Sequence, residues 1–420
     1  MAKPSMVILS GLLLTGSPAR PAEANPEPAL KAIDRWLHLA PAERGSNIPR
    51  HPLSEVEAAQ AIQLVWNTLR EEALETRKHE MHWNPASKDK AIQRGVVKAA
   101  DKEMTYLVKQ FGDAPRGKRS LWISMHGGGG TTPAVNDRQW RNQIQLYAPK
   151  EGFYLAPRAP TDTWNLWHQG HIDALFDRLI EDFVIAHGVD PNRVYLMGYS
   201  AGGDGVYQLA PRMADRFAAA AMMAGHPNDA SPAGLRNLPF MIFVGGNDAG
   251  YKRNTVAAQW GEKLARLRDA DPDGYVHKVT IYPGLGHWMG HRDAEALPWM
   301  AAHQRHAWPK RVVWKQSSRT HDRFYWLGLP GNKAKKGQEL RAEIKGQVIE
   351  LYRTGGSTLL LRLNDALIDL DQPITVHADG RTVFEGKLER RVSAIWNSLN
   401  ARLDPSSVAT AGLEIGGSDP

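Results

Sequence analysis

The residues whose types and order could do chemistry are a serine between glycines, an aspartate beyond a strand end and a histidine after a glycine-rich loop. The serine lies in Gly198-Tyr199-Ser200-Ala201-Gly202-Gly203, after the β-type run Val194-Tyr195-Leu196-Met197 and before a helix-competent run from about Asp204. A G-x-S-x-G between strand and helix is the setting of a nucleophile elbow. The turn needs nearly forbidden backbone angles, and the residues two before and two after the serine must lack a Cβ. A hydroxyl so presented stands clear of the sheet, with a helix N-terminus facing the charge that develops on a carbonyl oxygen. The pentapeptide alone is common, so its surroundings decide.

A serine hydroxyl needs a base within hydrogen-bond reach, and the base needs an orienting carboxylate. The order Ser, Asp, His suits this elbow. Phe240 to Val244 reads as a strand ending in Gly245-Gly246-Asn247-Asp248, which puts Asp248 in a loop where it can meet a histidine. An Asx turn is the plain alternative, Asp229 is the weaker acid, and Asp204 is too near Ser200 in the chain to be more than a support. The strand Val276 to Tyr282 leads into Pro283-Gly284-Leu285-Gly286-His287-Trp288, so His287 is the favoured base and His291 its competitor. His287 and His291 also have the spacing of a metal pair, but no Glu follows the first as a zinc-protease helix requires, and neither a metal nor a cofactor is expected. His126-Gly127-Gly128-Gly129-Gly130 follows the strand Leu121 to Met125. Its glycines, Gly128 and Gly129 above all, can turn an N–H toward an oxyanion, with Ala201 giving the other donor. No Gly-Lys-Ser/Thr follows, which excludes a phosphate loop of the Walker type. Trp164 and Trp167, in a connector that also holds His168 and His171, are candidates with Trp288 for lining the substrate cleft; packing beneath the loop is the equal alternative.

These motifs need a scaffold with several strand ends on one edge. From Ser120 to about Trp308, short apolar strands alternate with helices: Leu121 to Met125, Phe153 to Ala156, Val194 to Met197, Ala218 to Met223, Phe240 to Val244 and Val276 to Tyr282. An amphipathic helix runs between the second and third, with Ile172, Leu175, Phe176, Leu179, Ile180 and Phe183 on its apolar face. The pattern predicts an α/β fold, a mostly parallel sheet covered by helices, with sites at the carboxyl ends of the strands. Before it, residues 25–112 read as a helical segment: a capping box at Ser54 opens one helix, and a second is expected over Lys88 to Phe111. After it, residues 309–420 read as a small β-rich domain with hairpins turning at Lys345-Gly346 and Asp379-Gly380, a helix over Val392 to Arg402 and a strand over Val408 to Ile415.

With His126-Gly127-Gly128-Gly129, Gly198-Tyr199-Ser200-Ala201-Gly202, Asp248 and His287 in this order, residues 113–308 resemble the α/β-hydrolase superfamily. The similarity is greatest to its secreted esterase, poly(3-hydroxybutyrate)-depolymerase-like and prolyl-oligopeptidase-like branches. The resemblance implies an α/β-hydrolase fold with an eight-stranded core sheet, Ser200 as nucleophile, His287 as general base and acid, and Asp248 as its partner. The expected activity is hydrolysis of carboxylic esters, small or polymeric, through an acyl-enzyme. A peptidase of prolyl-oligopeptidase-like type and a non-catalytic envelope or polymer-binding protein are the alternatives.

The chain has 420 residues, no cysteine, 14 tryptophans and a formal charge of +7. Without cysteine there are no disulfides, thiolate nucleophiles or Cys-type zinc sites. Met6 to Leu14 is apolar but too short to span a bilayer, and Ala22-Glu23-Ala24 follows as a small-residue cleavage site. Residues 1–24 are therefore expected to be a signal peptide, and the protein secreted or periplasmic, with no membrane-spanning segment. The positive charge concentrates in residues 310–345, which could touch anionic surfaces or form an ordinary solvated face. No nucleic-acid-binding module is recognisable.

Overall fold

The computed structural model describes residues 27–45, 47–86, 91–331, 334–353 and 358–416, so the expected signal peptide lies outside the described residues. Three helices come first: α1 (Glu27–Leu37), α2 (Pro41–Arg44) and α3 (Glu55–Arg77). α3 opens on the capping box, Ser54 and Glu57 each accepting the other's backbone N–H.

The second expected helix is not formed. The chain instead makes β1 (Asn84–Pro85), β2 (Gln93–Ala99) and β3 (Lys102–Phe111), β2 and β3 being an antiparallel hairpin. Val96, Met104, Leu107 and Val108 do fall near helical spacing, but Met104, Tyr106 and Val108 also alternate along one face, and all three are buried. The two-residue loop Ala100-Asp101 adopts left-handed angles at both positions (φ 50° and 56°), as a tight hairpin turn requires. Pairing of β3 with the core sheet then settles the choice: Tyr106 to Phe111 align with residues 152–157.

The core strands and helices follow: β4 (Arg119–Met125), α4 (Pro133–Leu146), β5 (Gly152–Pro157), α5 (Gly170–His187), β6 (Val189–Tyr199), α6 (Ala201–Arg212), β7 (Ala219–Met223), β8 (Phe240–Gly245), α7 (Arg253–Ala270), β9 (His277–Tyr282) and α8 (Ala296–Ala301). The sheet order is β1-β2-β3-β5-β4-β6-β7-β8-β9, with β4 to β9 parallel and β2 and β3 antiparallel to their neighbours. β2 and β3 thus supply the two core strands not anticipated, and the sheet continues past the boundary expected at residue 112. Successive side chains of a strand face opposite ways. Leu121, Ile123 and Met125 of β4 pack with α5, α6 and α7 on one face, while Trp122 packs with Trp140 and Ile144 of α4 and Met300 of α8 on the other.

The remainder forms β10 (Arg311–Lys315), β11 (Arg323–Phe324), β12 (Leu327–Gly328), β13 (Glu339–Lys345), β14 (Val348–Arg353), β15 (Leu359–Leu363), β16 (Ile374–Ala378), β17 (Arg381–Gly386), α9 (Val392–Ala401) and β18 (Ala411–Ile415). A five-stranded sheet, β10-β13-β14-β16-β17, holds both expected hairpins, and a four-stranded sheet, β11-β12-β15-β18, accompanies it. Much of the basic charge in 310–345 is matched locally: Arg311 lies by Asp271, Lys315 and Arg341 by Glu339, and Lys345 by Glu343. Among the described residues, no helix is long and apolar enough to cross a membrane.

The β-rich region is fastened by a buried ion network. Asp404 accepts from Arg305 (2.7 Å) and lies 3.5 Å from Arg216, while Arg402 reaches back to Asp215 (2.6 Å). Burial would raise both carboxyls, but the arginines win: Asp215 is held at about 2, chiefly by Arg402, and Asp404 falls below the usual carboxylate range, chiefly through Arg305. Both folded-state values lie below the unfolded one, so their stabilisation is complete above about pH 4 and is lost as pH falls through the folded values. Replacing Asp404 by Ala strands Arg305 and should cost about 3–5 kcal/mol at pH 7. Urea denaturation at pH 7 and pH 3 checks this. The gap between variant and parent should narrow at pH 3, and equal stability at pH 7 would show that the network does not fasten the region.

Candidate active site

Ser200 follows β6, near the centre of the sheet, and adopts φ 58°, ψ −120°, a conformation that L-residues rarely hold. A Cβ on Gly198 would collide with the Gly202 carbonyl, and one on Gly202 with the Met125 carbonyl, so both elbow positions require glycine. Two backbone bonds hold the turn, Ser200 N–H to Met223 O (2.9 Å) and Asp204 N–H to Ser200 O (3.0 Å).

Three loops then converge on the serine. Ser200 Oγ is 3.0 Å from His287 Nε2, and His287 Nδ1 is 2.8 Å from Asp248 Oδ2. The loops carrying Asp248 and His287 are joined by Gly246 N–H to Tyr282 O and Asn247 N–H to Leu285 O, each 2.8 Å. Tyr199, the variable residue of the elbow, pins the histidine loop from below: its hydroxyl donates to His287 O (2.7 Å) and accepts from Met289 N–H (3.0 Å). His291 sits on the rim against Trp288 rather than on Ser200. Asp229 is taken up by Gln208 and does not enter the relay.

The glycine loop after β4 passes over Ser200. His126, buried beneath it, has a pKa pushed down to about 4 by desolvation and is neutral. Its Nδ1–H donates to Gly127 O (2.6 Å) and its Nε2 accepts from Ala159 N–H (3.2 Å). The expectation for Gly129 needs correction. Its N–H donates to Asn136 Oδ1 (3.0 Å) and its carbonyl accepts from Asn136 Nδ2 (3.2 Å), so Gly129 has no donor left for an oxyanion. Among the described residues, neither Gly128, at φ 106°, nor Ala201, at the first turn of α6, has a hydrogen-bond partner for its N–H.

Trp167 is a second correction. It is fully buried, donating its indole N–H to His126 O (3.0 Å) and packing on Phe176, so it props the glycine loop and lines no cleft. A large ring in a short connector beside a sheet fills the space beneath it before it faces solvent. Trp164 is 64% exposed and Trp288 51% exposed, and each lines a cavity that reaches Ser200. The first cavity, about 500 Å³, is bounded by His287, Trp288 and the α4 residues Gln139 and Asn142; the second, about 540 Å³, by Trp164, Asp204, Tyr251 and Arg253. Among the described residues, none of α1 to α3 or of the β-rich region lines either one.

Asn136, Tyr199 and Arg253 were not recognisable as site residues. Asn136 sits in the first turns of α4 with nothing in its neighbours to distinguish it, and Tyr199 shows only as an aromatic in the variable position of G-x-S-x-G.

The sheet order and the strained serine turn define an α/β-hydrolase fold. Residues 145–317 match the model of the Dienelactone hydrolase family. Over 132 residues, 30% of this chain, the sequence is 30% identical to the bifunctional acetylxylan esterase/xylanase XynS20E of Neocallimastix patriciarum. That alignment spans 19% of the relative's length. Structural similarities include a thermostable esterase (20% identity, TM-score 0.39, 51% of this chain and 63% of that one). Another is the feruloyl esterase module of Clostridium thermocellum, solved with sinapinate (17% identity, TM-score 0.38, 54% and 95%).

The Asn136 amide holds both polar groups of Gly129 and should therefore set the path of the glycine loop. Asn136→Ala should lower kcat on a simple ester by about 10- to 100-fold while KM changes little, because donor placement matters most at the transition state. Steady-state kinetics with a check of melting temperature tests this. A rise in KM alone would assign Asn136 to substrate binding instead.

Proposed function

We propose that this chain is a serine hydrolase of carboxylic esters. The observation that carries the reading is the chain of contacts from Ser200 Oγ to His287 to Asp248, at 3.0 and 2.8 Å, beside the N–H groups of Gly128 and Ala201, which have no partner among the described residues. In this reading Ser200 Oγ attacks the ester carbonyl carbon while His287 Nε2 takes the hydroxyl proton. The carbonyl electrons move to oxygen, where the N–H groups of Gly128 and Ala201 receive the charge with the N-terminus of α6 behind them. Collapse of the adduct breaks the bond to the alcohol, which leaves with the proton from His287. Water, deprotonated by His287, then attacks the acyl-enzyme, and the acid departs as Ser200 recovers its proton. Asp248 stabilises the imidazolium in both halves.

Acetyl esters of xylan, named for the Neocallimastix relative, belong in the first substrate panel beside simple alkyl esters. Ser200→Ala should lower kcat/KM on p-nitrophenyl acetate by about four to six orders of magnitude and abolish labelling by a fluorophosphonate probe, with the fold retained. Full activity in that variant, or a wild-type protein that neither labels nor turns over any ester, would sink the reading.

The short apolar run before Ala22-Glu23-Ala24 supports export, with cleavage after Ala24. Mass spectrometry of protein recovered from outside the cytoplasm should then find Asn25 as its first residue. Retention of Met1 in a wholly cytoplasmic protein would contradict export.

A further inference from the structure

The two cavities that meet at Ser200 are not equivalent, and on the ester-hydrolase reading their difference assigns the two halves of the substrate. The departing alcohol must receive a proton from His287 Nε2, so it leaves on the side that His287 lines, the first cavity. The second cavity is lined by Ser200, Ala201 and Gly128 but not by His287. The acyl group that stays on Ser200, with its oxyanion against those backbone donors, extends there.

The walls of this second cavity do not suit a plain alkyl chain. Arg253 donates through Nη1 to Gly250 O (3.3 Å) and lies 3.5 Å from Asp248 Oδ1, but its Nε is buried with no partner among the described residues. Its guanidinium lies over the Tyr251 ring at 4.9 Å. Tyr251 and Lys252 both adopt left-handed angles (φ 53° and 57°), and this strained turn leaves the Tyr251 ring 79% exposed at the mouth of the cavity. Asp204 accepts the His226 N–H (2.6 Å), and burial pushes its carboxyl up to about 6, so at neutral pH it is an acceptor. An alkyl acyl chain would dehydrate a cation and an anion and pair neither, and an anionic acyl group would face the Asp204 carboxylate. A hydroxyl donates to the Asp204 carboxylate and accepts from the Arg253 guanidinium.

We propose that the second cavity is the acyl site and that Arg253 and Asp204 make it selective for acyl groups carrying a hydroxyl away from the ester carbonyl. Arg253 is then a specificity-determining residue and, through its contact with Asp248, a positioning residue for the relay. Its loss should slow every ester, and the informative quantity is a ratio of substrates measured on one sample, from which partial unfolding cancels.

The test uses the full chain and compares kcat/KM by pH-stat for ethyl hexanoate, ethyl 3-hydroxyhexanoate, ethyl 6-hydroxyhexanoate and monoethyl adipate, which share one alcohol. At least one hydroxy ester should exceed ethyl hexanoate by about tenfold, with the adipate half-ester below it. Arg253→Met should bring that ratio to within about threefold of unity, and Arg253→Lys should keep part of it. Moving the hydroxyl to the alcohol, as in 6-hydroxyhexyl acetate against hexyl acetate, should give a ratio that Arg253→Met leaves alone. The proposal is overturned by no hydroxyl preference in the wild type, by preference for the adipate half-ester, by a preference that survives Arg253→Met, or by an alcohol-side ratio that responds to it. Failure to hydrolyse any of these esters would instead strike the ester-hydrolase reading itself.

Discussion

The close approach of backbone at Ser200 is the constraint on which the rest of the site depends. A left-handed serine costs about 1–3 kcal/mol, and it persists because the surrounding sheet over-determines it. Gly198 lies against Gly202, Gly202 lies against the end of β4, and Met223 at the end of β7 receives the serine N–H. The turn is therefore clamped by strands on both sides of β6. A side chain at Gly198 would push β6 away from the first turn of α6, and one at Gly202 would push that turn away from the end of β4, and either would shift the hydroxyl away from the loops that meet it.

Around that fixed point the other groups are held chiefly by backbone hydrogen bonds and neutral side chains. The Asp248 and His287 loops are laced to each other, Tyr199 ties the His287 loop to the elbow itself, and neutral His126 with Asn136 shapes the glycine loop. Neutral hydrogen bonds suit this task, since they orient the loops without adding charge beside the relay. Among the described residues that line the two cavities, formal charges fall only in the second, at Asp204 and Arg253. This asymmetry, more than volume, distinguishes the two cavities.

Much of the core sheet was legible because its strands are short, apolar and bounded by glycine. Ser200, Asp248 and His287 could be singled out because each lies shortly after the end of such a strand. The β2–β3 hairpin was not, since its apolar residues satisfy a helical period as well as a period of two, and only pairing of β3 with β5, far along the chain, decides between them. Gly129 and Trp167 failed for a different reason. Glycine N–H groups in one loop are indistinguishable in sequence, and the Asn136 amide that occupies one of them arrives from another element. For Trp167 the sequence leaves cleft lining and packing beneath the loop equally open, and the space under the glycine loop claims it. Long-range contacts decide such matters, and local pattern does not carry them.

The helices at the beginning of the described chain close on the helix near its end. Ile33, Trp36, Val65 and Leu69 share one buried cluster with Ile395 and Leu399, and Leu53 bridges to Arg390 in β fashion. The hydrolase core thus lies, in sequence, between two segments that complete each other. A ribosome must release α9 before α1 and α3 can bury their apolar faces, so those helices wait exposed through most of synthesis. The arrangement favours late, cooperative closure and a high contact order, and it makes the β-rich region a poor candidate for excision as a separate module.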